Sequence, residues 1–249
     1  MISPALRYAS PSYMPKFQPD STCVLWLPGQ DDPQSATIRD RSGKGNNGTI
    51  TGATWVRLGN GLWSLDFDGN DDKITVTDVA TVQNIWDGGG SFVGWINPDS
   101  DGQGDNGNII SKVRLATSGG WELRTTGEAA GKVKINFFVY FSSGSGYWQC
   151  AATVASIGVW SHVVVTYNSS ATANEAILYV NGVAQSWSSG ARSGTRVTDA
   201  LTNLLIGDYE DGSRNYDGKQ ALQRLFKTKI LTQPEITNSY NQERNLFGV

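Results

Sequence analysis

Short apolar runs recur along most of the chain, and glycine-rich polar turns separate each run from the next. Such runs predict β-strands, because a strand needs only about four to eight residues and ends where glycine or asparagine permits a turn. The predicted strands lie at 24–27, 65–67, 74–76, 92–96, 121–123, 133–141, 160–167, 176–180 and 204–206.

The clearest alternation is in the strand at 133–141. Its odd-numbered residues are all apolar, so we expect them to face the protein core. The opposite face then carries Phe138 and Tyr140, two aromatic side chains that point outward beside Asn136. An outward aromatic pair needs a function or a cover, which makes this face a candidate binding surface.

Helical periodicity occurs only near the C-terminus. Thr232 and Glu235 have the spacing of a capping box, and the helix is expected to continue through Ile236 and Tyr240. Many short strands with almost no helix indicate an all-β fold, a two-sheet antiparallel jelly-roll sandwich with a short C-terminal helix. No break in composition indicates a second domain, so residues 23–249 are expected to form one domain.

The first 22 residues are interpreted as an extended N-terminal arm. Four of the eight prolines lie within the first twenty residues. Proline lacks an N–H donor and favours extended backbone in the residue before it, so a helix is not expected there. The arm either packs on its own sandwich or clasps a neighbouring subunit, and both alternatives stay open.

Composition and charge narrow the range of partners. The net charge is −3 and the charges are mixed along the chain, so a nucleic-acid partner is not expected. No apolar run of about eighteen residues exists, so membrane insertion is not expected either. The N-terminal residues lack a basic head and an apolar stretch, which leaves either a removed signal or synthesis in a cytoplasm. Cys23 and Cys150 are expected to be reduced core thiols, with a disulfide between them as the alternative.

Several segments, taken in order, resemble laminin G-like jelly rolls of the concanavalin A-like lectin/glucanase group. They include the Phe67-Asp68-Gly69 hairpin, the Trp160-Ser161-His162 strand and the Asn181-Gly182 turn, and it is their order along the chain that carries the resemblance. The resemblance extends over about residues 23–242 and comprises the segments 40–55, 61–74, 160–167, 178–182, 205–207, 216–218 and 231–236. It implies two antiparallel sheets, one convex and one concave, with ligands on the concave sheet or at the loop rim.

A hydrolase on this fold would need paired carboxylates on one strand. An acid and a nucleophile must flank the glycosidic bond at about 5 Å for retention, as a Glu-x-Asp-x-x-Glu strand provides. The sequence contains no such strand, and its densest acidic stretch, 208–212, is interpreted as a solvated loop. His162, the single histidine, is interpreted as a structural residue. The prediction is a protein without catalytic residues.

The resemblance also implies a structural calcium ion, for which Asp40, Asp68 and Asp217 are the candidate ligands. This chain departs from the family pattern after Gly218, because residues 219–222 supply no acid. The favoured alternative is that these aspartates accept backbone hydrogen bonds in turns.

The candidate ligand site depends on how the strand at 133–141 pairs with the next segment. If Phe141 lies opposite Tyr147, across a loop at 142–146, then Trp148 lies opposite Tyr140 on the outer face. A shift of one residue would turn Trp148 to the other face, and a loop or the arm could cover the whole cluster. The predicted ligand-binding residues are Phe138, Tyr140, Trp148 and Asn136, with Gln149 beside them.

Two classes of function follow. The first is an outer structural protein of a virus (phage) particle, made in the host cytoplasm, with lectin-like adhesion and neighbouring capsid or tail subunits as partners. The second is a secreted or cell-surface carbohydrate-binding module with a glycan ligand. A glycan-active enzyme of the same fold is the third and least favoured alternative.

Overall fold

A computed structural model describes residues 17–249, within which eighteen strands form two antiparallel sheets. In chain order the strands are β1 Cys23–Leu27, β2 Thr37–Ile38, β3 Gly48–Thr51, β4 Thr54–Arg57, β5 Trp63–Asp68, β6 Lys73–Val76, β7 Gly90–Pro98, β8 Asn106–Arg114, β9 Gly119–Ala129, β10 Lys132–Phe141, β11 Gly144–Cys150, β12 Ala155–Ser156, β13 Ser161–Tyr167, β14 Ile177–Val180, β15 Val183–Ala184, β16 Trp187–Ser189, β17 Leu204–Ile206 and β18 Asp217–Lys227. Helix α1 is Gln233–Glu243, and short 3-10 helices lie at Gln103–Asp105, Leu115–Thr117 and Arg244–Leu246.

The two sheets differ in strand order. Sheet A runs β15-β14-β13-β7-β18-β5-β4, and β1 pairs with β18 as well. Sheet B runs β16-β11-β10-β9-β8-β17-β6-β3-β2, and β12 pairs with β10. This arrangement confirms the predicted jelly-roll sandwich with its short C-terminal helix. Within residues 17–249, no helix is long and apolar enough to cross a membrane.

The main core lies between the sheets and is rich in aromatic rings. Trp86 lies at its centre, with its ring centroid 5.2 Å from that of Trp121 and 4.8 Å from that of Phe137. The odd-numbered residues of β10 all belong to this core, as the alternation predicts. Truncation of one such buried ring typically destabilises a fold by about 3–5 kcal/mol, so these rings hold the sheets together.

Sheet A is covered on both faces. Every residue of β13 is buried, and β7 is buried at eight of its nine positions. One face contacts the main core, and the other contacts α1 and the C-terminal residues through two smaller apolar clusters. A strand buried on both faces reads as a continuous apolar run, which explains the sequences of these two strands.

Helix α1 begins as the sequence predicts, at a capping box. The Thr232 backbone N–H donates to Glu235 Oε2 over 2.8 Å. At the other end of the helix, Glu243 forms a buried ion pair with Arg224 of β18 and accepts a 2.8 Å hydrogen bond from Trp95 Nε1. These contacts fix α1 on the outer face of sheet A.

The two cysteines lie in different sheets and are free, buried thiols, as expected. Burial raises the pKa of Cys23 to about 12 and that of Cys150 to about 11.

At the end of the predicted arm, the Phe17 ring packs edge-on against Trp26 and Phe226 of sheet A. Residues 1–16 lie outside the described residues, so the two alternatives for the arm stay open for them.

His162 is fully buried beneath α1, with Nε2 3.3 Å from Ser239 Oγ. Burial, with the nearby charge of Arg224, lowers the pKa of His162 from 6.5 to about 3. Between these values the unfolded chain binds a proton at this residue and the folded chain does not. Stability from this group is therefore complete above about pH 6.5 and falls as the pH decreases toward 3.

We predict that the free energy of unfolding decreases by about 1.4 kcal/mol per pH unit between pH 6 and pH 5 because of this residue. Urea unfolding of the wild type and of His162→Gln at these two pH values measures the difference. The single histidine makes the comparison clean, since the variant removes it and should lose this slope. Equal slopes in the two proteins would contradict the prediction.

Candidate functional site

The outer face of sheet B carries two rows of side chains that cross β8, β9, β10 and β11. Residues in register on neighbouring antiparallel strands point to the same face, so each row forms one continuous strip. The polar row consists of Asn108, Arg124, Asn136 and Gln149. The aromatic row consists of Ser111, Glu122, Phe138 and Tyr147.

The aromatic rings of this face remain accessible. Phe138 and Tyr140 are partly exposed, and their ring centroids lie 5.1 Å apart in an edge-to-face arrangement. Tyr147 lies opposite Phe138 and is 36% exposed. Gly190 packs against the Tyr147 ring, where a Cβ atom would lie 2.3 Å from a ring carbon, so a side chain at position 190 would displace this ring. Together, these rings offer a partly exposed apolar surface to a ligand.

Glu122 lies in the middle of the aromatic row and is fully buried. Its Oε1 accepts hydrogen bonds from Arg124 Nη1 at 3.0 Å and from Arg214 Nη1 at 2.7 Å, and its Oε2 lies 3.0 Å from Arg214 Nη1. Burial and the neighbouring charge of Arg214 lower the pKa of Arg124, although Glu122 opposes the shift. A carboxylate held in this way by two guanidinium groups is a structural anchor.

The segment between β17 and β18 folds over one side of this face. Tyr209 contacts Tyr140 through a 2.8 Å hydrogen bond between their hydroxyl groups, and the Arg214 guanidinium lies 4.3 Å from the Tyr209 ring centroid. Asp208 is fully buried and pairs with Lys73 at 2.8 Å. These contacts fix the segment as a wall beside the aromatic rings.

The polar row contains buried atoms without hydrogen-bond partners among the described residues. They are both side-chain polar atoms of Asn108, Oδ1 of Asn136 and Nε of Arg124. The Asn136 Nδ2 group donates to Gln149 Oε1 over 3.1 Å. Buried polar atoms in proteins are nearly always satisfied by protein or water, so we expect enclosed water beneath this row. Arg124 and Gln149 are the partly exposed members of the row.

The predicted position of Trp148 is wrong. The turn after β10 contains only Ser142 and Ser143, so Phe141 pairs with Gly144 and not with Tyr147. The resulting register places Trp148 opposite Phe137 in the main core, where it is fully buried. An odd shift in register moves every side chain of a strand to the other face. Tyr147 therefore points to the outer face, opposite Phe138, and Ser145 lies opposite Tyr140 where the sequence placed Trp148.

Asn136, Phe138 and Tyr140 lie on the predicted face, and the observed register places Asn136 opposite Gln149. Sequence reasoning missed Tyr147, Glu122, Tyr209 and Arg214. Glu122 and Tyr147 were within reach, because both lie in register with Phe138 once the strand pairing is known. Tyr209 and Arg214 reach the site from an irregular segment, and no periodic pattern indicates their direction.

The three aspartates suggested for calcium do not form one ligand set. Asp40 accepts four hydrogen bonds, from the backbone N–H groups of Trp26, Ser42 and Asn46 and from Ser42 Oγ, at 2.7–2.9 Å. This arrangement fits the turn role that the sequence favours. Asp68 and Asp217 do pair in register across β5 and β18.

A different acidic group surrounds Asp68. Among residues 17–249, the one set of three acids whose oxygen atoms all lie within 4.8 Å of one another is Asp68, Asp71 and Asp72. Burial, with the charges of its two neighbours, raises the pKa of Asp72. Calcium binding stays a prediction, and Asp40 is not suited to it.

Comparison with known families identifies the fold. Residues 68–237 match the laminin G family model described as the concanavalin A-like lectin/glucanases superfamily. The chain belongs to this superfamily. The family confirms the resemblance seen in the sequence, and its fold is the two-sheet jelly roll found here. No curated protein matches the sequence.

Solved structures of this superfamily's fold include several binding domains. The binding domain of Paraclostridial Mosquitocidal Protein 1 superposes with a TM-score of 0.67 at 16% identity, over 90% of this chain and 53% of its own. The binding domain of botulinum neurotoxin serotype G gives a TM-score of 0.64 at 15% identity, over 88% of this chain and 50% of its own. The chain therefore spans about half the length of these two domains.

A third structure is similar over nearly its whole length. Domain 4 of AbnA, a GH43 extracellular arabinanase from Geobacillus stearothermophilus, in complex with arabinotriose, gives a TM-score of 0.60 at 16% identity. The match covers 88% of this chain and 98% of that domain. At these identities the three likenesses show the fold alone.

We predict that Glu122→Gln destabilises the protein by about 2 kcal/mol, since it leaves two partly buried guanidinium groups without their carboxylate. The exposed Glu128→Gln, on the same strand, is the matched control and should change stability by less than about 0.5 kcal/mol. Urea unfolding monitored by tryptophan fluorescence measures both. If the two variants were equally stable, Glu122 would not be the anchor described here.

Proposed function

We propose that the chain is a non-enzymatic carbohydrate-binding module whose site is the outer face of sheet B. The observation that carries this proposal is the juxtaposition of accessible rings at Phe138 and Tyr147 with the polar row, in which the Gln149 amide is partly exposed. A sugar ring has an apolar face and a rim of hydroxyl groups. Aromatic rings contact the first, and amide side chains donate to and accept from the second.

The comparisons support this proposal at the level of the fold. Two of the similar structures are binding domains, and the AbnA domain was solved with arabinotriose. This fold also hosts enzymes and structural parts, so the site's own chemistry must support the function.

The geometry of Glu122 argues against glycoside hydrolysis at this face. Hydrolysis needs one carboxyl group that donates a proton and another that attacks or activates water. Glu122 is bound by two arginines, and Asp208 by Lys73. Within the described residues, both buried acids at this face are thus already committed to ion pairs.

We predict that Phe138→Ala and Tyr147→Ala each weaken carbohydrate binding by about tenfold, because each removes a ring from the contact surface. A glycan array with the wild type first identifies the ligand, and titration calorimetry then compares the variants. Val183→Ala, which removes an exposed apolar side chain from β15 at the edge of sheet A, is the control. Unchanged affinity in both aromatic variants, or no signal on the array, would count against the site.

The setting we propose is the surface of a virus (phage) particle, on which the module would attach to a cell-surface glycan beside capsid or tail subunits. A secreted or cell-surface carbohydrate-binding module is the alternative. The proline-rich arm and the low net charge support an assembled protein. Neither observation identifies its neighbours.

The assembled setting predicts that the full chain forms an oligomer in solution, since a particle subunit must contact its copies or neighbours. Light scattering after size exclusion measures the mass. A mass near that of a single 26.9 kDa chain over a wide concentration range would favour the isolated module.

A further inference from the structure

The outer face of sheet B and its adjacent wall carry charges of both signs, and the wall supplies the acids Asp208, Glu210 and Asp211. The polar and aromatic rows contain Arg124, and the adjacent wall contributes Arg214. Glu122 neutralises only one of these two charges. β10 adds two lysines, Lys132 and Lys134, at the end of the strand that precedes Asn136.

The two lysines point to the same face as the aromatic rings. Val133, Ile135 and Phe137 belong to the main core, so the alternating positions of β10 face outward. Lys132 is exposed and Lys134 is partly exposed. Among residues 17–249, neither lysine lies within ion-pair distance of a carboxylate, whereas Lys73, Lys112, Lys219 and Lys229 each do.

Position along the strand connects these lysines to the proposed site. Lys134 and Tyr140 are six residues apart, which corresponds to about 20 Å in a strand. The same strip therefore presents first a cation, then the Asn136 amide and then two rings. Arg124 completes it from β9, with its guanidinium 5.6 Å from the Phe138 ring centroid and its Nε unpartnered.

We propose that the ligand is an acidic carbohydrate, whose rings lie on Phe138 and Tyr147 and whose carboxylate or sulfate groups are bound by Lys132, Lys134 and Arg124. This inference rests on the proposed function and adds the ligand's charge. Unpaired ammonium groups bind anions at little desolvation cost at a partly exposed surface. The amide row favours a hydroxyl-rich ligand over a polymer bound through charge alone.

The test compares ligands that differ in charge only. Full-length protein is titrated with oligogalacturonate and with its methyl ester, which is neutral, and with sulfated and unsulfated dextran oligosaccharides, of which the unsulfated member is neutral. We expect the charged member of at least one pair to bind about tenfold more tightly at low salt, with the preference decreasing as salt screens the charges. The two pairs distinguish a carboxylate ligand from a sulfate ligand.

Substitutions test which residues are responsible for the preference for the charged ligand. The double substitution Lys132→Gln and Lys134→Gln should abolish the preference for the charged member and leave binding of the neutral member unchanged. The control removes the same charge elsewhere, with Lys44→Gln and Arg244→Gln at two exposed positions, and should retain the preference. Thermal unfolding of each variant checks that the fold is intact.

The outcomes separate the two proposals. Equal binding of charged and neutral members, with loss of both in Phe138→Ala, would overturn the acidic ligand and keep the carbohydrate site. No binding of any carbohydrate would contradict both. If a DNA duplex or an anionic phospholipid vesicle bound as tightly as the acidic oligosaccharide and depended on the same lysines, the inference of a carbohydrate ligand would be overturned.

Discussion

The buried ion pair between Arg224 and Glu243 determines which surface of this molecule is available. Both side chains are almost fully buried, and Trp95 Nε1 donates to the same carboxylate. Removal of one partner from such a pair is strongly destabilising, because it leaves an uncompensated charge away from water. The pair therefore holds α1 on sheet A and closes the outer face of that sheet. The outer face of sheet B is left as the broad sheet surface on which a ligand can bind.

The same kind of contact arranges the open face. Glu122 anchors Arg214, and Arg214 in turn packs on Tyr209, whose hydroxyl group contacts Tyr140. The wall of the site is thus fixed before a ligand arrives. A fixed site loses less conformational entropy on binding than a mobile one, which favours affinity. The description of this superfamily includes glucanases. In this chain, the central carboxylate of the face, that of Glu122, holds the two arginines in place.

Much of the fold could be predicted from the sequence, because strands with strict alternation and helices with caps carry local signals. β10 and α1 are the clearest cases. The hydrophobic pattern did not indicate β18, which entered only through the family resemblance around Gly218, since its centre is polar. Arg224 is buried there beneath α1, and Gln220 and Gln223 are buried between the two sheets. Leu222, with a φ of 54°, also interrupts the strand's alternation with a bulge.

The sequence predicted the residues that β10 contributes to the candidate site, but it did not predict those that other segments contribute. Asn136, Phe138 and Tyr140 share a strand, so alternation alone places them together. The position of Trp148 depended on the length of a turn, and a two-residue turn reverses the face that a longer loop would give. Both serines of that turn fit either loop length, so the local sequence did not decide between them.

The buried polar atoms without hydrogen-bond partners include two groups that differ in what covers them. One group lies beneath α1 and includes His162 Nδ1 and Arg224 Nε. A second group lies in the polar row of sheet B. Beneath α1 such atoms can be satisfied only by enclosed water, since the helix seals that face. In the polar row they lie just beneath the accessible rings and the unpaired lysines, which are the groups that a ligand can contact. The covered face thus accounts for stability, and the uncovered face has the chemistry of recognition.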